Sequence, residues 1–246
     1  MRIDDDAVIW SASETDRAGR PLLLLLHGYN SHEGDLFGLA PYLPLEPVIA
    51  SLRAPLDAGY GYAWFPLFAD AADEQDAPGG TDAPEEQDAP DGTDAPGEAS
   101  ASSAQASTRS LTDAEAATTA VLEWLDRAAP DADRVGLLGF SQGGAMSLEL
   151  LRREPARFAF AATLAGFALP GERDGDVELA RIRPPVFWGR GSIDQVIPAE
   201  FVARTQDWLP EHADLDSRIY EGLAHSVSDA ELGDVIAWLR ARYATA

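Results

Sequence analysis

Hydrophobic residues in this chain of 246 residues occur mainly as short continuous runs, with few polar residues inside each run. Six runs are typical of β-strands that are covered on both faces of a sheet, because such strands are apolar at every position. They are PLLLLLHG, PVIASLRAP, DRVGLLGF, FAATLAG, PPVFWGRG and DSRIYEG. Segments with helical periodicity lie between them. The pattern therefore predicts an α/β fold with a mainly parallel central sheet flanked by helices.

Three of the helices carry recognisable signals. Thr112 with Glu115, and Ser228 with Glu231, each fit a capping box and predict that a helix begins there. A third helix is indicated by a stripe of residues at helical spacing, namely Phe201, Val202, Thr205, Trp208 and Leu209. We expect these aromatic side chains to lie in the core.

One segment interrupts the pattern. Residues 69–110 contain no Val, Ile, Leu, Met, Phe, Trp or Tyr, and an Asp-Ala-Pro triplet recurs every six residues from Asp76 to Pro96. Such a segment cannot bury enough apolar surface to offset the entropy lost on ordering. We therefore predict a disordered acidic loop at about residues 69–110 within a single domain of residues 1–246. A tolerated surface insertion is the simpler interpretation, and a lid or a docking tail is the alternative.

The charge of the chain is strongly negative. There are 42 acidic residues against 18 basic ones, all of them arginine, and the formal net charge is -24. This balance argues against nucleic acid or an anionic membrane as a partner, since both attract positive charge. Two explanations stay open: adaptation to high salt, and a GC-rich genome that favours Arg over Lys. A salt-adapted protein should lose structure when salt is removed, whereas a composition bias predicts no such loss.

Several classes of site and location are disfavoured. The chain contains no cysteine, which excludes disulfides and thiol catalysis. The chain contains no run of about eighteen apolar residues, the length that would predict a membrane span. The first ten residues, MRIDDDAVIW, lack the apolar core of a signal peptide, so we expect a cytoplasmic protein. The sequence does not indicate an oligomeric state.

The run GFSQGG supplies a candidate nucleophile. Gly139 to Gly143 match G-x-S-x-G, with a predicted strand before the motif and a predicted helix after it. The glycines leave room for a sharp turn that imposes strained backbone angles on Ser141. Ser141 would then lie at the N-terminus of a helix, where negative charge developing on a substrate is favoured.

A base and an acid must accompany this serine, in the chain order Ser, Asp or Glu, His. Of the two histidines after Ser141, His225 lies between a predicted strand and a capped helix, whereas His212 lies where a helix should end. Asp194 lies in a loop after an apolar strand. Its position favours it over the other aspartates of this region, Asp174, Asp176, Asp207, Asp214 and Asp216. We predict Ser141, Asp194 and His225 as the catalytic set.

The loop HGYNSHEGD follows the first long strand. Backbone N–H groups of Tyr29, in this loop, and of Gln142, after the nucleophile, are the predicted oxyanion donors. The loop also holds four residues of types that bind metals, His27, His32, Glu33 and Asp35. Their spacing differs from zinc motifs such as H-E-x-x-H, so we predict no metal site. His27 is expected to hold the loop in place.

Together these motifs resemble the carboxylesterase/phospholipase/acyl-protein thioesterase family of α/β-hydrolases. The resemblance rests on LLLLLHGYNSHEGDLFGLAPYLP, SLRAPLDAGYGYAWF, GFSQGGAMSLELL, PVFWGRGSIDQVIP and GLAHSVSDAE, which follow one another in family order. It implies an α/β-hydrolase fold and hydrolysis of ester or thioester bonds to acyl groups that are often hydrophobic, without a cofactor. It also implies the triad Ser141, Asp194 and His225, with Tyr29 and Gln142 at the oxyanion hole.

The chain departs from the family pattern near the expected acyl site. Pro66 stands where the family usually has Asp, and the acidic insert follows. Acyl length and the choice between ester and thioester therefore stay open, with Trp64, Phe65 and Leu67 as candidate pocket residues. The main hypothesis is a serine hydrolase that cleaves small apolar acyl esters through an acyl-enzyme. The alternative is a non-catalytic binding or scaffold protein built on the same fold.

Overall fold

A computed structural model describes residues 1–67, 98–132 and 134–244, with residues 98–106 described as backbone. Nine strands are present in these ranges: β1 (Ile9–Trp10), β2 (Leu22–Leu26), β3 (Val48–Leu52), β4 (Leu56–Asp57), β5 (Tyr62–Ala63), β6 (Val135–Phe140), β7 (Phe158–Leu164), β8 (Pro185–Gly191) and β9 (Asp214–Tyr220). The helices are α1 (Glu33–Phe37), α2 (Glu98–Ala128), α3 (Gln142–Arg153), α4 (Asp176–Ile182), α5 (Ala199–His212) and α6 (Asp229–Ala244). Each of the six predicted strands is among them.

Seven strands form one twisted sheet in the order β1-β3-β2-β6-β7-β8-β9. All neighbours are parallel except the two-residue strand β1, which runs antiparallel to β3. The five leucines of β2 are at most 2% exposed, because the strand is central and covered on both faces. The predicted α/β architecture with a mainly parallel sheet is therefore confirmed.

Alternate side chains of β2 pack into two separate layers of the core. Leu22, Leu24 and Leu26 pack in the layer that contains Trp124 of α2 and Met146 of α3. Leu23 and Leu25 pack in the opposite layer, against residues of α1 and α6 that include Leu36, Val235, Trp238 and Tyr243. Successive side chains of a strand point to opposite faces, so one continuous apolar run serves both layers.

The two outer strands of the sheet differ. At one side β1 contributes only two residues. At the other side β9 pairs, among the described residues, with β8 alone and is more exposed than the central strands. Its charged residues are Asp214, Asp216 and Arg218, and Arg218 forms ion pairs with Asp216 and with Asp234 of α6.

Helix α2 corrects the predicted limits of the insert. Residues 98–110, predicted as part of the loop, belong to α2, while residues 68–97 lie outside the described residues. Thr112 is therefore not a helix cap: its Oγ1 donates to the Thr108 carbonyl, 3.1 Å away, inside the helix. The physical reason is that extending an existing helix costs much less than starting one, and the Ala-rich preceding segment tolerates it.

The predicted start of the last helix is correct. Ser228 precedes α6, and its Oγ accepts a hydrogen bond from the Glu231 backbone N–H at 3.2 Å, as an N-cap residue does. Within the described ranges, none of the helices combines the length and the apolar character needed to cross a membrane.

Candidate active site

Ser141 lies on a sharp turn between β6 and α3. Its backbone has φ 53° and ψ -119°, a region that residues with a side chain rarely adopt. Two hydrogen bonds keep Ser141 in this strained conformation. The Ser141 N–H donates to the Leu164 carbonyl at 2.8 Å, and the Ser141 carbonyl accepts the Ala145 N–H at 3.0 Å. The turn thus fixes the serine at the carboxyl end of the parallel strands, where α/β proteins carry their sites.

Two glycines make this turn possible. A Cβ atom on Gly143 would lie 1.9 Å from the Leu26 carbonyl oxygen, and one on Gly139 would lie 2.1 Å from the Gly143 oxygen. The first contact is the more informative, because it joins the start of α3 to the end of β2. The loop after β2 is thereby brought against the residue that follows the serine.

The structure brings Ser141, Asp194 and His225 together. His225 Nε2 lies 2.9 Å from Ser141 Oγ, and His225 Nδ1 lies 2.8 Å from Asp194 Oδ2. The second oxygen of Asp194 accepts backbone N–H groups of Val196 at 2.9 Å and Ile197 at 3.3 Å. The carboxylate is therefore oriented by its own loop before it orients the imidazole.

The Asp194 carboxyl is held in its ionised form. Burial alone would raise its pKa, but hydrogen bonds from His225 and from two backbone N–H groups outweigh burial, and the pKa lies below its ordinary value. An ionised Asp194 can only accept a hydrogen bond from His225 Nδ1, and this arrangement leaves Nε2 facing Ser141 Oγ.

His212 and Asp176, which were not selected as members of the catalytic set, lie outside the group around Ser141. His212 ends α5, stacks on Trp208 with ring centroids 4.3 Å apart, and its Nδ1 lies 2.8 Å from the Trp208 carbonyl. Asp176 forms a bidentate contact with Arg152 at the far end of α3. Neither residue is part of the Ser141 group.

Tyr29 and Gln142 both line the cavity in front of Ser141. Gln142 is the first residue of α3, so its backbone N–H has no partner within the helix. Tyr29 belongs to the loop that the Gly143 contact brings close, and its side chain is partly exposed at the rim. Both backbone positions predicted as oxyanion donors therefore lie at the same cavity.

His27 is buried and has a structural environment. Its Nε2 accepts the Ala54 backbone N–H at 3.1 Å, and its Nδ1 lies 2.7 Å from the Gly28 carbonyl. Burial lowers the pKa of His27, against a smaller opposing effect of the Gly28 carbonyl, so the ring is neutral. Nearby, Glu33 is paired with Arg53, and His32 accepts the Gly34 N–H. In the part of the chain that the structure describes, no three metal-binding side chains cluster.

The cavity beside Ser141 has a volume of about 320 Å³ and a mainly apolar lining. Phe65 and Leu67 line it as predicted from the sequence, but Trp64 does not. Trp64 is fully buried, and its indole N–H donates to the His27 carbonyl at 2.9 Å. The other apolar lining residues are Phe140, Phe167, Val196, Ile197, Pro198 and Phe201.

None of these residues was selected as a site residue from the sequence, and two of them pack together. Phe167 and Phe201 stack edge to face with centroids 5.0 Å apart. Phe201 was interpreted as a core residue of α5, which its spacing fits equally well, and Phe167 follows β7 in a segment without a motif. A useful signal was available for Phe167, since it directly follows the carboxyl end of a predicted parallel strand.

The sequence profile of the Phospholipase/Carboxylesterase family matches residues 98–243, which is more than half of the chain. The protein belongs to this family. It is 30% identical to "Acyl-protein thioesterase 1" of Kluyveromyces lactis over 112 residues, 44% of this chain and 49% of that protein. It is 26% identical to "Carboxylesterase SOBER1" of Arabidopsis thaliana over 112 residues, 45% of this chain and 49% of that protein. The chain thus spans about half the length of the curated relatives it matches.

Solved structures that resemble this family member cover nearly all of it. The crystal structure of esterase PE8 superimposes with a TM-score of 0.68 at 21% identity, covering 98% of this chain and 99% of that one. A carboxylesterase from Mesorhizobium loti gives 0.69 at 19% identity, covering 96% and 97%. At such identities the likeness concerns the fold, and it confirms the predicted α/β-hydrolase fold.

Proposed function

We propose that the protein is a serine hydrolase that cleaves carboxylic esters through an acyl-enzyme, with Ser141 as nucleophile, His225 as general base and acid, and Asp194 as the group that orients His225. The observation that carries the proposal is the unbroken hydrogen-bond chain from Asp194 through His225 to Ser141, at 2.8 Å and 2.9 Å, at the mouth of an apolar cavity. Membership of the family supports the same activity.

The first half-reaction uses these contacts directly. His225 Nε2 takes the hydroxyl proton while Ser141 Oγ forms a bond to the substrate carbonyl carbon. The carbonyl electron pair moves to the oxygen, and this oxyanion accepts hydrogen bonds from the Tyr29 and Gln142 backbone N–H groups. His225, now charged and stabilised by Asp194, gives its proton to the leaving oxygen as that C–O bond breaks.

Deacylation repeats the same steps with water. His225 takes a proton from a water molecule whose oxygen attacks the acyl carbon bound to Ser141. Collapse of the second oxyanion breaks the bond to Ser141 Oγ, and His225 returns the proton to the serine. The products are a carboxylic acid and the alcohol released earlier, and no cofactor takes part in this scheme.

The cavity favours small apolar acyl groups. A volume of about 320 Å³ lies near the lower end of the range for small-molecule sites, roughly 300–1,000 Å³. Phe65, Phe167 and Phe201 offer apolar contacts for an acyl chain. Oxygen esters are the proposed substrates, and thioesters and lysophospholipids are the alternatives that share the acyl chemistry.

Covalent labelling tests the catalytic proposal. A fluorophosphonate should form a Ser141 Oγ–P bond and release fluoride, and Ser141→Ala should abolish the adduct. Hydrolysis of p-nitrophenyl acyl esters should fall by about 10⁴-fold to 10⁶-fold in this variant. Ser217→Ala, on an exposed serine of β9, is the matched control and should keep both the label and the activity. A folded wild-type protein that forms no adduct would favour the binding or scaffold alternative.

A panel of substrates tests the preference for ester and acyl length. We expect kcat/KM to rise from acetyl to a short or medium acyl chain on oxygen esters and then to fall as the cavity is exceeded. Equal chains on sulfur esters separate thioesterase from esterase activity. Faster turnover of long-chain thioesters than of short oxygen esters would contradict the proposed substrate class.

A further inference from the structure

The side chain of Gln142 is buried and bonded to a distant segment of the chain. It is 3% exposed, its Oε1 accepts the Trp64 backbone N–H at 2.8 Å, and its Nε2 donates to the Phe65 carbonyl at 2.7 Å. Residues 64–67, which we call the wall segment, include Phe65 and Leu67 of the cavity lining. One residue beside the nucleophile therefore holds the backbone of the cavity wall through its side chain.

The wall segment is also tied to the loop that carries Tyr29. The Trp64 indole N–H donates to the His27 carbonyl at 2.9 Å, and the His27 ring accepts the Ala54 backbone N–H at 3.1 Å. Three elements thus meet around Gln142: the loop after β2, the wall segment after β5, and the start of α3. The Gln142 side chain and the Trp64 indole thus join these three elements by hydrogen bonds.

A primary amide suits this position chemically. Its oxygen accepts and its nitrogen donates, which matches one backbone N–H and one backbone carbonyl. An ionised glutamate of nearly the same shape accepts only, and would face the Phe65 carbonyl without a proton to offer. Methionine has similar length and neither group. Both substitutions keep the backbone N–H of residue 142.

We propose that the Gln142 side chain is a positioning residue that holds Phe65 against the acyl cavity at a fixed distance from the oxyanion donors. The inference rests on the proposed function and adds a determinant of acyl selectivity to it. Longer acyl chains contact the wall segment over more of their length than an acetyl group does. Loss of the two hydrogen bonds therefore costs long chains more than short ones.

The test compares Gln142→Met and Gln142→Glu with the wild type on p-nitrophenyl esters from acetate to the longest chain accepted. We expect the ratio of kcat/KM for the longest chain to that for acetate to fall roughly tenfold in both variants, with most of the change in KM. In Gln142→Met both the Trp64 N–H and the Phe65 carbonyl lose their partner, and in Gln142→Glu the Phe65 carbonyl loses its donor. Gln206→Met, on an exposed glutamine of α5, is the matched control and should keep the wild-type ratio.

A second measurement separates a local role from a general one. Hydrogen exchange of a peptide spanning residues 62–67 should become faster in both Gln142 variants, while peptides from β6 and β8 keep their protection. If the Met variant does not fold, the Glu variant, which is closer in shape, carries the same comparison.

The outcomes are distinct. A uniform loss for all acyl lengths, or an unaltered ratio, would overturn the positioning role. If the wild-type protein labels at Ser141 and the Gln142 variants keep the wild-type ratio, this inference alone is overturned. Wild-type protein that neither labels nor hydrolyses any ester overturns the proposed function itself.

Discussion

Helix α3 begins beside the candidate nucleophile and ends among buried charges, and its two ends are held by different forces. At the first end, a strained Ser141 and the backbone contact at Gly143 leave no space for larger residues. At the second end, Arg152 is 2% exposed and bonds to Glu149 at 2.8 Å and to Asp176 at 2.7 Å. The first end depends on shape and the second on paired charge.

Arg152 at the second end stays ionised. Burial alone would lower the pKa of Arg152, but hydrogen bonds and attraction from Asp176 and Glu149 outweigh it, and the pKa lies above its ordinary value. Arg173 adds a further contact to Glu149 at 2.9 Å. A group of this kind is costly to break, because removing one partner leaves another charge buried. We infer that residues at the first end of α3 determine reactivity and that residues at its second end determine stability.

Asp194→Asn should give the largest effect and should act on reactivity alone. The amide can still accept the Val196 and Ile197 N–H groups, but it no longer holds the Nδ1 proton of His225. As in other triads, kcat should fall by about 10⁴-fold. Thermal unfolding should stay close to that of the wild type. Asp207→Asn, at an exposed aspartate of α5, is the control. An equal loss of kcat in this variant would contradict the assignment.

Gly143→Ala should lower both activity and stability. The added methyl group would lie 1.9 Å from the Leu26 oxygen, so the start of α3 must move away from the loop after β2. Loss of one oxyanion donor lowers kcat by about 10²-fold to 10³-fold. Gly233→Ala is the matched control, since a Cβ there meets nothing within 4 Å, and helix α6 should gain up to about 1 kcal/mol. Wild-type kcat in Gly143→Ala would rule out the contact as a determinant.

Arg152→Met should mainly change stability. It leaves Glu149 and Asp176 without their shared arginine, and we expect the free energy of unfolding to fall by about 3–5 kcal/mol. Arg157→Met removes a more exposed arginine that pairs with Asp126 and Glu154, and should cost less than about 1 kcal/mol. Denaturant unfolding compares the two. A large fall in kcat of folded Arg152→Met, measured well below its Tm, would break the proposed separation between the two ends.

Glu231 of α6 contrasts with the paired charges around Arg152, because it is a buried carboxyl whose two oxygens have no hydrogen-bond partner among the described residues. Burial raises its pKa to about 7 from the usual 4.5, against a smaller opposing effect of the Ser228 backbone N–H. Below pH 4.5 both folded and unfolded chains are protonated. Between pH 4.5 and 7 only the unfolded chain loses the proton, so stability falls as pH rises.

Glu231→Gln removes this pH-dependent cost. At about 1.4 kcal/mol per pKa unit, the variant should be more stable than the wild type by at most about 3 kcal/mol at pH 8, and by little near pH 4.5. Urea unfolding at the two pH values measures the difference. A gain of the same size at both pH values would mean that ionisation of Glu231 is not its cause.

Much of the fold was predictable because the central strands are buried on both faces, which makes their sequences continuously apolar. The candidate site was predictable for a related reason. Ser141, Asp194 and His225 each follow a parallel strand, and the carboxyl ends of parallel strands meet at one edge of the sheet. Chain order and position were then enough to choose His225 over His212 and Asp194 over Asp176.

The remaining features depend on contacts between segments far apart in the chain. Nothing local in Gln142 indicates that its side chain bonds to Trp64 and Phe65, since any residue at this position satisfies G-x-S-x-G. Phe201 has the same spacing whether it faces the core or a cavity. The start of α2 at Glu98 was missed because an Ala-rich and Ser-rich segment has no amphipathic pattern and extends a helix that packing stabilises farther on.

Strand β9 has a consequence for how copies of the chain meet. As an outer strand it offers backbone groups that a second β-strand could join, which is a common route to aggregation. Its Asp216 is paired with Arg218, but Asp214 is exposed and carries the sign that dominates the whole protein, whose net charge is -24. A strand approaching from another copy would bring like charges together before any backbone hydrogen bond formed. Repulsion between copies therefore opposes edge-to-edge pairing of β9 during folding, when neighbouring chains are most exposed to one another.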